Sequence, residues 1–141
     1  MIKVVADTNI YISALNFAGI PDEILSLARK GEIELFISPP ILQEIEEVLL
    51  GKFEWAAARF KKAVVDIEKF THLVQPMENL LIIKEDEDDN RILECAQAAQ
   101  AQFIVSGDNH LRKLKTFQEI KIVSPIEFLG LWENQFETDE K

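Results

Sequence analysis

With one cysteine, Cys95, the chain has no partner for an internal disulfide, and its two histidines, His72 and His110, form no Cys/His cluster of zinc-ligand spacing. A reducing compartment is expected. Long apolar runs are also missing. Nowhere do about 18 apolar residues follow one another, and the opening run MIKVVADTN meets an acid at Asp7, too early for the apolar segment of a signal peptide. The expectation is a soluble cytoplasmic protein with no membrane partner. Glycine is scarce, five in 141 residues, and none is arranged as a phosphate-cradling loop or a dinucleotide fingerprint. Positive charge is in short supply as well. Fifteen Lys and Arg stand against 25 Asp and Glu, a net charge of −10, which excludes an evenly basic surface for gripping nucleic acid, so any phosphate partner must be met locally. What the chain does have is apolar content, 48%, enough at this length for one continuous core.

Residues 2–6, 35–38, 80–83, 103–105 and 120–123 are short, nearly continuous apolar runs, four of them rich in β-branched side chains, and read as buried strands. Helical segments fall between them, at 9–15, 21–30, 40–50, 55–73, 89–101 and 109–114. Strands buried on both faces and joined through helices need long crossovers, so the pattern predicts an α/β class: a three-layer α/β/α domain around a mostly parallel sheet of about five strands. One domain over residues 1–132 is expected, with residues 53–73 as a helical excursion and 133–141 as a loosely ordered polar tail.

In such sheets ligands bind beyond the carboxyl ends of the strands, near the point where strand order reverses, so acids placed there are informative. Asp7 directly follows the first strand and Asp108 follows the fourth. Each also suits a helix N-cap, but two such acids on one sheet edge point to a shared site. On the helix after the second strand, Glu44 and Glu46 flank the apolar stripe of Ile41, Leu42, Ile45, Val48 and Leu49, while Glu47 points away; Glu44 lies nearer the carboxyl edge. The acid run 85–89 is mostly a solvated stretch at a helix N-terminus. Projected back from Ile92, Leu93, Ala96 and Ala99, however, Asp89 falls on the inward stripe, where a carboxylate needs a partner, and Asp86 falls well off it.

Converging carboxylates must take up protons or bind a cation. An all-oxygen set suits Mg²⁺ or Mn²⁺, ions that activate water and stabilise charge on a phosphoryl group, so phosphodiester hydrolysis follows. Thr8, Asn9, Ser106 and Asn109 are placed to orient the acids or metal-bound waters, though each also suits a cap or turn. Arg112, Lys113 and Lys115 beside Asp108, and Lys52, Arg59, Lys61, Lys62 and Lys69 in the excursion, are available to a nucleic-acid backbone once metal inverts the local potential. His110 reads as a turn residue, Cys95 as a core thiol, and Trp55 and Trp132 as packing. Two other classes share parts of this pattern. A phosphoacceptor receiver needs paired acids after the first strand, where Asp7 stands alone, and a non-catalytic binding module would use the acids only to take up a cation.

The ordered set of Asp7-Thr8-Asn9, residues 38–44, residues 86–96 and Ser106-Gly107-Asp108 resembles the PIN-domain ribonucleases, particularly the bacterial and archaeal group of toxins from toxin-antitoxin pairs. The likeness spans roughly residues 2–129 and includes VVADTNIYISAL, SPPILQE and IVSPIEFL. It implies a Mg²⁺- or Mn²⁺-dependent endoribonuclease acting on RNA, with Asp7, Glu44, Asp89 and Asp108 as its acids and Asn9 and Ser106 supporting them. It also implies a homodimer inhibited by a cognate antitoxin. The chain departs from the group's pattern at Gln100 and Gln102, where Gly and Asp are usual.

Overall fold

A computed structural model describes residues 1–83 and 86–137. Its elements run β1 (Lys3–Ala6), α1 (Thr8–Phe17), α2 (Ile20–Arg29), β2 (Glu34–Ile37), α3 (Pro39–Gly51), α4 (Ala57–Phe70), β3 (Thr71–Leu73), α5 (Glu87–Ala99), β4 (Phe103–Val105), α6 (Asn109–Leu114), β5 (Thr116–Phe117), β6 (Ile120–Val123) and α7 (Pro125–Leu131). The sheet order is β3-β2-β1-β4-β6-β5, parallel throughout except for the short antiparallel pairing of β5 with β6. From β1 the chain first steps to β2 and β3, then returns to lay β4 on the other side of β1. The order therefore reverses between β1 and β4, where Ala6 is in register with Val105. The α/β class with a mostly parallel sheet is as the sequence predicts, with six strands among the described residues where about five were expected.

The two central strands carry the most continuous apolar runs because both their faces are covered. Val4, Val5, Ala6, Ile104 and Val105 have no exposed surface, and α5 packs across β1, β2 and β4. Proline begins α3 and α7, where its missing N–H costs nothing. Helix α7 also has a capping box in which Ser124 and Glu127 satisfy each other's backbone N–H. The departure at residue 100 has a local consequence. Gln100 caps α5 in the left-handed region, φ 54°, a conformation that glycine adopts at less cost. Gln102 instead works in the sheet, its side-chain oxygen accepting from the Lys3 N–H at 2.9 Å.

One strand is misassigned in the sequence reading. Residues 80–83 form no strand; the third parallel strand is Thr71–Leu73, which the periodicity assigns to the end of the excursion helix. The apolar run at 80–83 is real, but side chains of α5 satisfy its backbone. Asn90, wholly buried, accepts from the N–H groups of Ile82 and Ile83 at 3.0 and 2.8 Å and donates to the Ile83 carbonyl at 2.7 Å. Glu94 accepts from the Leu80 N–H at 2.7 Å and pairs with Arg91 at 2.9 Å; Arg91 donates to the Leu80 carbonyl. A segment that reads as a ladder partner is a strap pinned to a helix. Residues 133–137, read as the start of a polar tail, continue from Trp132 as one π-helical turn; Glu85 of the acid run and tail residues 138–141 lie outside the described residues.

Candidate active site

Asp7 follows β1 and is the N-cap of α1, its Oδ1 accepting from the Ile10 N–H at 3.1 Å. Asp108 lies just beyond β4 and caps α6, its Oδ1 accepting from the N–H groups of His110 and Leu111 at 2.8 and 3.2 Å. Capping and site-building are therefore not alternatives here, because the cap holds each carboxyl group at the sheet edge. Buried Ser106 joins the two acids, its hydroxyl donating to Asp7 Oδ2 and accepting from the Asp108 N–H at 2.9 Å.

Helices α3 and α5 bring the other acids to the same edge. Glu44 is half-buried and Glu47 exposed, as the wheel of α3 predicts, while Glu46, placed on the other flank of the stripe, is exposed. Asp89 is 7% exposed on the inward face of α5. A small cavity of about 50 Å³ is lined by Asp7, Thr8, Asn9, Glu44, Asp89 and Asp108 together with Asp86 and Asp88. All four predicted acids meet there. Of the four supporting residues, Thr8 and Asn9 line the cavity and Ser106 underlies it, whereas Asn109 is exposed and not part of the lining.

The sequence reading misses three residues. Asp86 and Asp88, assigned to the solvated part of the acid run, line the cavity because Asp86 is the N-cap of α5, turned by its own hydrogen bond to the Asp88 N–H. His110, read as a turn residue, sets its Nδ1 3.8 Å from Asp108 Oδ1 and 3.9 Å from Asp89 Oδ2. Its position two residues past a capping acid is the signal that could have found it. A much wider groove, about 730 Å³, opens at the amino edge of the sheet around Gln100, Gln102, Gln118 and Lys121, away from the acids.

Crowding leaves a clear electrostatic mark. Burial, aided by the Asp108 and Asp86 charges, pushes Asp89 up to about 8. Burial and neighbouring Asp88 and Asp86 raise Glu44 to about 7, although the Thr8 hydroxyl opposes this by bonding its carboxylate. Asp7 rises to about 6, burial outweighing the bonds from Ser106 and Ile10. Cys95 has no such role. It is wholly buried in α5 with its thiol pushed up to about 12, the inert core thiol expected.

The residues fit a divalent cation. Asp89 Oδ2 and His110 Nδ1 are buried atoms with no hydrogen-bond partner, and one ligand atom from each of Asp89, Asp108 and His110 lies within 4.8 Å of the others. The basic residues take varied places. Arg112 and Lys113 follow Asp108 on α6, Arg112 reaching Glu127 at 3.7 Å, and exposed Lys115 ends that helix. On α4, Arg59 lies over the Trp55 ring at 3.7 Å and Lys69 reaches Asp66 at 3.5 Å, while Lys61 and Lys62 are exposed. Among the described residues no helix is long and apolar enough to cross a membrane.

An α/β sheet with an acid-lined cavity at its switch point places donors that could hold a hard cation at a strand edge. More particularly, residues 3–110 match the PIN domain, and the chain belongs to that family, whose members are generally nucleases that use divalent metals. An uncharacterized protein of Methanocaldococcus jannaschii is 33% identical over 94% of this chain and 92% of its own length. Among solved structures, VapBC2 from Rickettsia felis, bound to a DNA fragment from their promoter, shares the fold. The TM-score is 0.61 at 16% identity, covering 87% of this chain and 98% of that one.

Proposed function

We propose that this chain is a metal-dependent endoribonuclease, the toxin of a toxin-antitoxin pair, hydrolysing RNA phosphodiesters with Mg²⁺ or Mn²⁺. The observation that carries the reading is the meeting of Asp7, Glu44, Asp89 and Asp108 around one cavity while a buried Asp89 oxygen lacks a hydrogen-bond partner. So costly an arrangement is retained where a cation compensates it. Asp7, Asp89 and Asp108 would hold the ion. When bound, it supplies a Lewis acid that lowers the pKa of water and neutralises charge developing on the phosphoryl group.

The chain's own residues do the rest. Ser106 holds Asp7 Oδ2 by donating to it and fixes the Asp108 backbone, so the spacing of the two strand-end acids is set before any ligand arrives. Glu44, oriented by the Thr8 hydroxyl, aligns the attacking water and accepts its proton. In-line attack by that water forms the new P–O bond as the P–O3′ bond breaks, leaving a 5′-phosphate and a 3′-oxygen that takes a proton from solvent to become the 3′-hydroxyl. Arg112, Lys113 and Lys115, close in sequence to Asp108, and Arg59 and Lys62 on α4 contact the RNA backbone. A fold shared with VapBC2 supports a cognate antitoxin as partner, and the enzyme acts as a cytoplasmic homodimer.

The test is cleavage of RNA with Mg²⁺ or Mn²⁺. Activity should vanish in chelator and fall by about a hundred- to a thousandfold in Asp7→Asn, a loss on the scale of removing a group that stabilises transition-state charge. Undiminished cleavage under either condition would overturn the reading.

A further inference from the structure

We infer that His110 is itself a metal ligand through Nδ1, and that this nitrogen makes the site prefer Mn²⁺ over Mg²⁺. The inference rests on the carboxylate metal site proposed above and adds a donor outside its four acids. Asp108 fixes the His110 backbone by capping it, with Oδ1 2.8 Å from the His110 N–H, and the ring turns back toward Asp89 and Asp108. Its Nδ1 is buried and makes no hydrogen bond, although two carboxylate oxygens face it.

The separations discriminate between roles. At 3.8 and 3.9 Å, Nδ1 is too far from Asp108 Oδ1 and Asp89 Oδ2 for a hydrogen bond, whose donor and acceptor lie about 2.7–3.2 Å apart. Around an octahedral ion with bonds of about 2.1 Å, neighbouring ligand atoms are about 3.0 Å apart and opposite ones about 4.2 Å. Both gaps exceed the adjacent spacing, so the three atoms frame a space that a small inward shift on binding would close around an ion. Asp89 Oδ2, likewise buried and unpartnered, borders the same space. The ring is not sealed in: the His110 side chain is 41% exposed, so Nε2–H can donate to water while Nδ1 offers its lone pair. An imidazole nitrogen among carboxylates favours first-row transition ions over Mg²⁺, which takes oxygen almost exclusively.

The experiment is pulsed electron paramagnetic resonance on full-length protein loaded with Mn²⁺ and labelled with ¹⁵N-histidine, alongside calorimetric titration of Mn²⁺ and Mg²⁺. The second histidine, His72, sits against Phe36 on β3 and faces Glu34, and is replaced by glutamine so that one histidine remains. A nitrogen coupling is expected, lost in His110→Ala. That variant should bind Mn²⁺ about tenfold more weakly while its Mg²⁺ affinity changes less than about threefold. Absence of nitrogen coupling in the His110-containing protein, or equal weakening of both metals in His110→Ala, overturns the role of His110. Asp108→Asn separates this from the underlying site. It should weaken both metals by more than about tenfold, and if it binds both as tightly as the unaltered protein, the carboxylate site falls and His110 with it.

Discussion

Ser106 is the smallest side chain with a large expected effect. Its hydroxyl holds Asp7 Oδ2 and receives the Asp108 N–H, and the residue has no exposed surface. Ser106→Ala strands the half-buried Asp108 N–H and removes the donor that keeps Asp7 from rising further above 6. We expect a stability loss of about 1–3 kcal/mol in urea denaturation and metal affinity weaker by about 10–100-fold. Unchanged affinity would mean that Asp7 needs no outer support. At this scale the sequence was informative for some acids and silent on others. Asp7 and Asp108 were legible because an acid within a few residues of a buried strand's carboxyl end lies at the sheet edge, and Asp89 because an apolar stripe runs through it. Asp86, Asp88 and His110 were not, since their inward aim depends on local turns of the chain at helix starts rather than on periodicity.

At the scale of elements, the strap over residues 80–83 and helix α5 stabilise each other. Asn90 meets three backbone groups of the strap and sits one residue from Asp89, so the clamp that holds the strap also sets the first turn of α5. Asn90→Ala leaves the buried N–H and carbonyl of Ile83 and the half-buried Ile82 N–H unpaired. It should cost at least about 3 kcal/mol and weaken metal binding without touching any proposed ligand, both measurable by denaturation and calorimetry on one preparation. Retained affinity at reduced stability would show that Asp89 is held independently of the strap. The same clamp explains why 80–83 resembles a strand: a buried apolar run is legible in composition, but whether its backbone pairs with a neighbour or with side chains is not. The true third strand is three residues long, with Leu73 exposed, and gives no alternation to detect.

For the whole molecule, the acids couple stability to pH in the direction opposite to that of an ordinary salt-bridged carboxylate. Asp7, Glu44 and Asp89 are raised from 3.8, 4.5 and 3.8 to about 6, 7 and 8, so between about pH 4 and 8 the folded metal-free protein holds more protons than the unfolded chain. Their stabilising contribution is complete below about pH 4 and is lost as pH rises through 6 to 8. In chelator, the thermal midpoint should fall by an amount on the order of 5 °C between pH 5 and pH 8.5. Saturating Mg²⁺ or Mn²⁺ should restore it at the higher pH and do little at the lower, where protons occupy the same oxygens. A midpoint that rises with pH in chelator would contradict the burial of these groups. The overall charge of −10 reinforces the trend, because each further ionisation adds to self-repulsion that a bound cation relieves.

The insertion of β4 beside β1 joins segments about a hundred residues apart in the chain, with Val105 in register with Ala6. During synthesis on the ribosome, a nascent chain lacking that late segment has Asp7 but neither Ser106 to hold it nor Asp108 to complete the cluster. The late return of β4 therefore sets an order of assembly: the acid cluster cannot close until most of the polypeptide has emerged, and a chain truncated before β4 lacks it.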